Sequence, residues 1–272
     1  MRKLRLPIPT RRCIFCNAIG VTVEHVWPKW LRAFVPATAK KHDLMSAIIH
    51  RTQSDREVRT WAGDPQSRGV RAVCRGCNGG WMARLEERTK PIIMPLLSGQ
   101  PKALSKDEQE IIATWATMHI MVAEFYRPER IGVPDVDRHL FWMVRRPLKN
   151  WKIWIGDYHR GNWVGYWIHL SLAIGEKYVS YSPDGAVARS NTQMTTFVVG
   201  QLYIHAFSCS SMPELVDRFN LGPLGVQKLV QISPVKESAV FWPPNVMTNG
   251  DADRMAGEIF GELNGIGNAF GV

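Results

Sequence analysis

The sequence predicts an α+β chain, with a small cysteine-bearing unit over residues 1–100 and a helix followed by an antiparallel β-sheet over 101–272. Three observations carry this reading. Two CxxC pairs lie in the first third of the chain, one long segment repeats its apolar residues at helical spacing, and the segments after residue 150 repeat theirs at strand spacing. With 272 residues, 45% of them hydrophobic, the chain has enough apolar material for a real core and is no disordered tail.

The N-terminal unit is defined by Cys13/Cys16 and Cys74/Cys77; the fifth cysteine, Cys209, stands alone downstream, where a small buried hydrophobe is expected. Two CxxC knuckles can present four thiolates at the corners of a tetrahedron, which suits a structural zinc ion with no open coordination position. Disulfides are the alternative. No apolar segment follows the charged start MRKLRLPIPTRR, so no signal peptide is expected, and reduced thiols are the expectation. A redox CxxC would need only one pair and a βαβ setting.

The elements follow in order. EERTKPIIMPLLSGQPKALS, with its prolines and Ser-Gly-Gln-Pro, reads as a connector and sets a boundary near residue 100. Ser105 and Glu108 then form a capping box, and Ile111, Ile112, Trp115, Met118, Val122 and Tyr126 recur at helical spacing until Arg127-Pro128. WKIWIGDY, NWVGYWIHLSLAI, KYVSYS and TTFVVGQLYIHAFS read as strands, with turns at His159 to Asn162 and Pro183 to Gly185. Short helices are expected around PELVDRF and near the C-terminus. No run of apolar residues is long enough for a membrane span.

The charge is unevenly distributed. Residues 1–104 hold 19 Lys+Arg against 7 Asp+Glu, a net +12, whereas residues 105–272 hold 15 against 17, a net −2. A basic unit joined to a near-neutral one points to a polyanion partner, because Lys and Arg neutralising phosphates supply most sequence-independent affinity for nucleic acid. Arg2, Lys3, Arg5, Arg11, Arg12, Arg71, Arg75, Arg84 and Arg88 are the candidate phosphate contacts. Trp27, Trp30 and Trp81 are expected to pack in the core rather than stack on bases, as are Trp151, Trp154, Trp163 and Trp167.

Between the cysteine pairs lies Thr22-Val23-Glu24-His25-Val26-Trp27-Pro28, and the second pair runs directly into Asn78-Gly79-Gly80-Trp81. This order, CxxC, Glu-His-Val-x-Pro, CxxCN, resembles the HNH endonuclease family over residues 13 to about 88. The resemblance implies a ββα-metal unit in which His25 is the general base, and Glu24 and Asn78 are ligands of a catalytic divalent ion, Mg²⁺ or Mn²⁺, while the four cysteines hold the structural zinc. It further implies cleavage of phosphodiester bonds, DNA favoured, in a bacterial or phage cytoplasm. A helix over residues 78–88 would aim free backbone N–H groups at the phosphate past Gly79 and Gly80, with Asn78 also suited to cap it.

One position departs from the family. Where an Asn usually stands five residues before the second cysteine pair, this chain has Gly69. His42, His50, Asp43, Asp55 and Asp64, in the insertion between Ala33 and Arg68, are the candidates for a substitute contact. Two other readings stay open: a zinc-stabilised nucleic-acid-binding module without catalysis, and a nuclease gated by a homodimer or another protein bound to the C-terminal part.

Overall fold

A computed structural model describes residues 11–25, 27–35, 41–50, 53–62, 69–128, 131–159, 164–165, 167–174, 180–181 and 187–270. Arg2, Lys3, Arg5, Val26, Asp64, Trp163 and the expected turn residues Arg160, Gly161, Asn162, Pro183, Asp184 and Gly185 lie outside them. The chain is mixed helix and sheet. In order, its elements are β1 (Thr22–His25), a 3-10 turn (Lys29–Phe34), β2 (Lys41–His50), β3 (Gln53–Ala62), β4 (Gly69–Val73), a wide π-helical turn (Cys77–Met82) running into α1 (Ala83–Leu97), β5 (Lys102–Ser105), α2 (Lys106–Ala123) and α3 (Asp135–Val144). There follow β6 (Trp151–Tyr158), β7 (Trp167–Leu172), β8 (Ser180–Tyr181), β9 (Val187–Arg189), β10 (Thr192–Val199), β11 (Leu202–Cys209), α4 (Pro213–Arg218), α5 (Gly222–Lys228), β12 (Val230–Ser233), β13 (Ala239–Trp242), β14 (Val246–Met247) and α6 (Asn249–Phe270).

The central sheet runs β12-β6-β11-β10-β7-β2-β3, with β14 on β6. It is mixed rather than purely antiparallel, because β2 pairs parallel with β7 and β14 parallel with β6. The strands carry apolar residues on both faces because both faces are covered. Ile153, Ile155, Trp167, Phe197 and Ile204 point into one cluster with α1 and α2, and Trp154, Tyr158, Leu170, Val198 and Phe207 point into the other with α4, α5 and α6. TTFVVGQLYIHAFS is two strands of a hairpin, turned at Gly200, whose φ of 54° suits a residue without Cβ.

The segment expected as a connector is helical. α1 continues through Pro91 and Pro95 to Leu97 while burying Ile92, Ile93, Leu96 and Leu97. Pro91 and Pro95 lack the N–H groups that would bond the carbonyls of Glu87 and Pro91, and both of those residues are exposed to water. The apolar face therefore outweighs two missing hydrogen bonds. The turn at Ser98 to Gln100 follows it, and the buried apolar side chains on both sides of that turn, from Cys13 to Trp242, form one continuous cluster.

α2 starts as its capping box requires: Glu108 N donates to Ser105 Oγ at 3.3 Å and Ser105 N to Glu108 Oε2 at 2.9 Å. It is buried nearly all round from Ile112 to Ala123. Just beyond its end, the Glu124 carboxylate accepts the Gly132 and Val133 N–H groups at 2.8 and 3.1 Å and faces His169 Nε2 of β7 at 3.3 Å, tying the helix to the sheet. Among the described residues no helix is long and apolar enough to cross a membrane.

Candidate metal centre and active site

The four cysteines converge. Cys13 and Cys16 sit in a tight knuckle closed by Cys13 N to Ala18 O (2.9 Å) and Asn17 N to Cys13 O (3.0 Å), with Asn17 left-handed at φ 61°. The knuckle is tied to β4 by Ile14 N to Ala72 O at 3.0 Å, which brings it to Cys74, at the end of β4, and Cys77. All four Sγ atoms lie within 4.8 Å of one another, and Cys16 Sγ is 3.5 Å from Cys74 Sγ. Tetrahedral Zn–S bonds of about 2.3 Å place sulfurs about 3.8 Å apart, so the set fits a metal ion. No disulfide joins them. Phe15, Trp81 and Phe141 pack beneath, with Phe15 and Trp81 edge to face at 5.1 Å, and the Arg145 guanidinium lies over Trp81 at 4.3 Å.

β1 pairs antiparallel with β4, with Glu24 opposite Val70 and His25 opposite Gly69. The helix after β4 then carries Asn78 back against β1, its Nδ2 donating to Thr22 Oγ1 at 3.2 Å. The Asn78 side chain also helps to hold the Glu24 carboxyl down, so these two predicted site residues are brought near each other. Burial pushes the Glu24 carboxyl above its ordinary range; His119 nearby lowers it, Glu86 raises it, and Asn78 and the His25 backbone N–H lower it. His25 is the last residue of β1 and, by strand alternation, leaves on the side opposite Glu24.

Two expectations need correction. Asn78 neither caps the helix nor stands at its head, because its N–H already bonds Cys74 O at 2.9 Å and the helical turns begin at Arg75. The unsatisfied N–H groups of the helix start therefore belong to residues before Asn78, and Cys77 N is directed at Cys74 Sγ at 3.4 Å. The helix is also longer than residues 78–88. Gly79 and Gly80 do face open space. Gly69 has none, since a Cβ there would meet Val23 Cγ1 at 2.2 Å. His42, Asp43 and His50 fall on β2 and Asp55 on β3, in the hairpin that extends the main sheet beside β7 rather than in the β1–β4 pair.

Arg11, Arg12, Arg71, Arg75, Arg84 and Arg88 are all exposed. Trp27 and Trp81 are buried, with Trp27 edge to face on Trp167 at 5.7 Å, and Trp30 packs on Trp115 at 6.2 Å. Cys209 is buried and accepts the Thr192 hydroxyl at 3.1 Å. Sequence reasoning missed Glu86 and His119. The one available signal was His119 itself, four residues after Trp115 and so within the apolar stripe of α2. In comparisons of the chain with protein-family models, curated proteins and solved structures, nothing matches.

Proposed function

We propose that this chain is a metal-dependent endonuclease of the HNH type, with a structural zinc in the cysteine cluster and DNA as the favoured substrate. The observation that carries the proposal is the meeting of Glu24 and Asn78, from an antiparallel strand pair and the helix after it, beside four convergent cysteines. In this reading Glu24 and Asn78 hold a divalent ion, which supplies charge neutralisation on the scissile phosphate and the leaving oxygen. His25 would take the proton from the attacking water through its imidazole, the end of β1 at this residue freeing the side chain to turn toward the side of Glu24. The exposed arginines hold the flanking phosphates, and the open face at Gly79 and Gly80 lets the backbone of the nucleic acid approach.

The test is nicking of supercoiled plasmid by zinc-loaded protein in EDTA, Mg²⁺ or Mn²⁺, beside His25→Ala protein of equal zinc content. Metal-dependent nicking by the wild type, lost in His25→Ala, is expected. One observation favours the second reading, a binding module without turnover. The residue opposite His25 is a glycine with no room for a side chain to orient the imidazole. Salt-sensitive plasmid binding with no cleavage in any metal would support it.

A further inference from the structure

α3 is clamped along one side and bare along the other. Phe141 is buried, its ring centroid 6.1 Å from that of Phe15 and 5.9 Å from that of Trp81. The Asp137 carboxylate accepts Asn150 Nδ2–H at 2.8 Å and the Ser210 hydroxyl at 2.7 Å, and the buried Arg138 guanidinium donates to Val133 O. Turning the helix to hide its bare side would expose Phe141 and strip two buried charges of their partners, so that side is fixed outward. It carries Val136, Leu140, Met143 and Val144, exposed by 60, 42, 62 and 46%. Their spacing puts them on one stripe. Among the described residues nine large apolar side chains are exposed, and four of them share this helix of ten residues. Single exposed apolar residues are ordinary, whereas a stripe of them marks a contact surface.

The two ends of the stripe carry opposite charge. Asp135, 85% exposed although it also meets Arg138, opens the helix, and exposed Arg146 follows its left-handed end at Arg145. A second α3 laid antiparallel on the first sets Leu140 on Leu140, Val136 on Val144 and Asp135 on Arg146, with the helix dipoles opposed. A parallel copy would set like charge on like at both ends. Beside Val136 lies a hollow of about 630 Å³, lined also by Ile14, Phe15 and Phe125, which can seat the unbranched Met143 of the second copy. The stripe offers about 350 Å² of surface per copy; two stripes bury about 700 Å² against the about 1,200 Å² at which specific interfaces begin, so the rim must supply the rest. Exposed Arg12, Asp135 and His139 at the edge of the hollow are that rim.

We infer that the bare face of α3 is the two-fold interface of a homodimer in which the two helices run antiparallel. An interface of this size, part apolar and part charged, gives a dissociation constant on the order of micromolar. His139 Nδ1–H donates to Phe15 O at 2.9 Å, inside the Cys13–Cys16 knuckle, so the dimer sets its two cysteine clusters on either side of the axis. The inference goes beyond the nuclease reading and stands or falls without it.

Sedimentation velocity of the full-length zinc-loaded protein from about 1 to about 100 µM brackets such a constant. A concentration-dependent shift from monomer to dimer is expected. Leu140→Glu, at an exposed position on the axis, is expected to stay monomeric throughout with zinc content and melting temperature unchanged. Phe241→Glu, at a residue 75% exposed on β13, is expected to dimerise as the wild type does. Arg146→Glu and Asp135→Lys each set like charges together twice in a dimer and are expected to weaken it about tenfold, while an equimolar mixture of the two restores both attractive pairs and the wild-type constant. A wild type that is monomeric at every concentration overturns the inference and leaves the stripe to a different protein. So does folded Leu140→Glu that still dimerises, Phe241→Glu that does not, or a mixture no tighter than its components. Should Asp135→Lys fail to fold through loss of its contact with Arg138, Leu140→Glu and Phe241→Glu decide the question between them.

Discussion

Replacing Trp27 by alanine asks whether the cysteine-bearing segment and the sheet fold as one body. Trp27 follows the Glu24-His25 strand end, is 5% exposed, and sets its indole edge to face against Trp167 at 5.7 Å and Phe197 at 5.9 Å, both on the central sheet. Truncation removes about 150 Å² of buried apolar surface, which at about 25 cal/mol per Å² is about 4 kcal/mol. That value falls inside the range of about 3–5 kcal/mol for Trp or Phe to Ala in a packed core. With a urea slope of about 3 kcal/mol per M for a chain of this size, the midpoint should fall by about 1 M or more. The assay follows unfolding by far-UV circular dichroism and, in the same samples, by metal release to a chromophoric chelator. Coincident curves that shift together are expected. A Trp27→Ala protein whose metal-release curve moves while the circular dichroism midpoint stays would show that the N-terminal segment and the sheet are separate units, and the single-core argument would be wrong.

Three further outcomes are expected. Stripping metal with a strong chelator should lower the melting temperature sharply and release the aromatic packing of Phe15, Trp81 and Phe141, because metal binding by such a cluster is folding free energy of about 10 kcal/mol or more at neutral pH; an unchanged calorimetric trace would argue against a structural metal. His205 is fully buried, bonded to Thr196 Oγ1 at 2.7 Å, and burial holds its pKa down to about 3, so the unfolded chain binds one more proton between the ordinary imidazole value of 6.5 and about 3. Stability from this group is complete above 6.5 and is lost as pH falls through that window, at up to about 1.4 kcal/mol per pH unit, and His205→Phe should flatten the acid limb of a denaturation profile; an identical limb would rule the group out. Ser105→Ala should cost about 1 kcal/mol in urea unfolding through loss of the α2 cap, and a change below about 0.3 kcal/mol would mean that packing alone sets that helix start.

Local signals were legible wherever the physics is local. The Ser105–Glu108 box depends on residues three apart, and it starts α2 where expected. WKIWIGDY is β6 end to end, since alternation alone orients a strand buried on both faces. The two CxxC pairs announced their convergence because a thiolate set requires it. The α1 segment failed as a connector because Pro91 and Pro95 are local signals, whereas the burial of Ile92, Ile93, Leu96 and Leu97 against α2 and the sheet is not.

By itself the sequence determined the cysteine cluster, the start of α2, strands β6, β7, β10 and β11 of the central sheet and the candidacy of Glu24, His25 and Asn78, all of which follow from spacings of a few residues or from donor chemistry. Only the tertiary structure decided that Glu24 faces Asn78, that Glu86 meets His119, that β2 runs parallel beside β7, and that one core crosses residue 100. The reason is that these contacts join residues tens of positions apart, and which faces meet across such distances is set by the burial of whole helices and sheets rather than by any pattern within a single turn or strand.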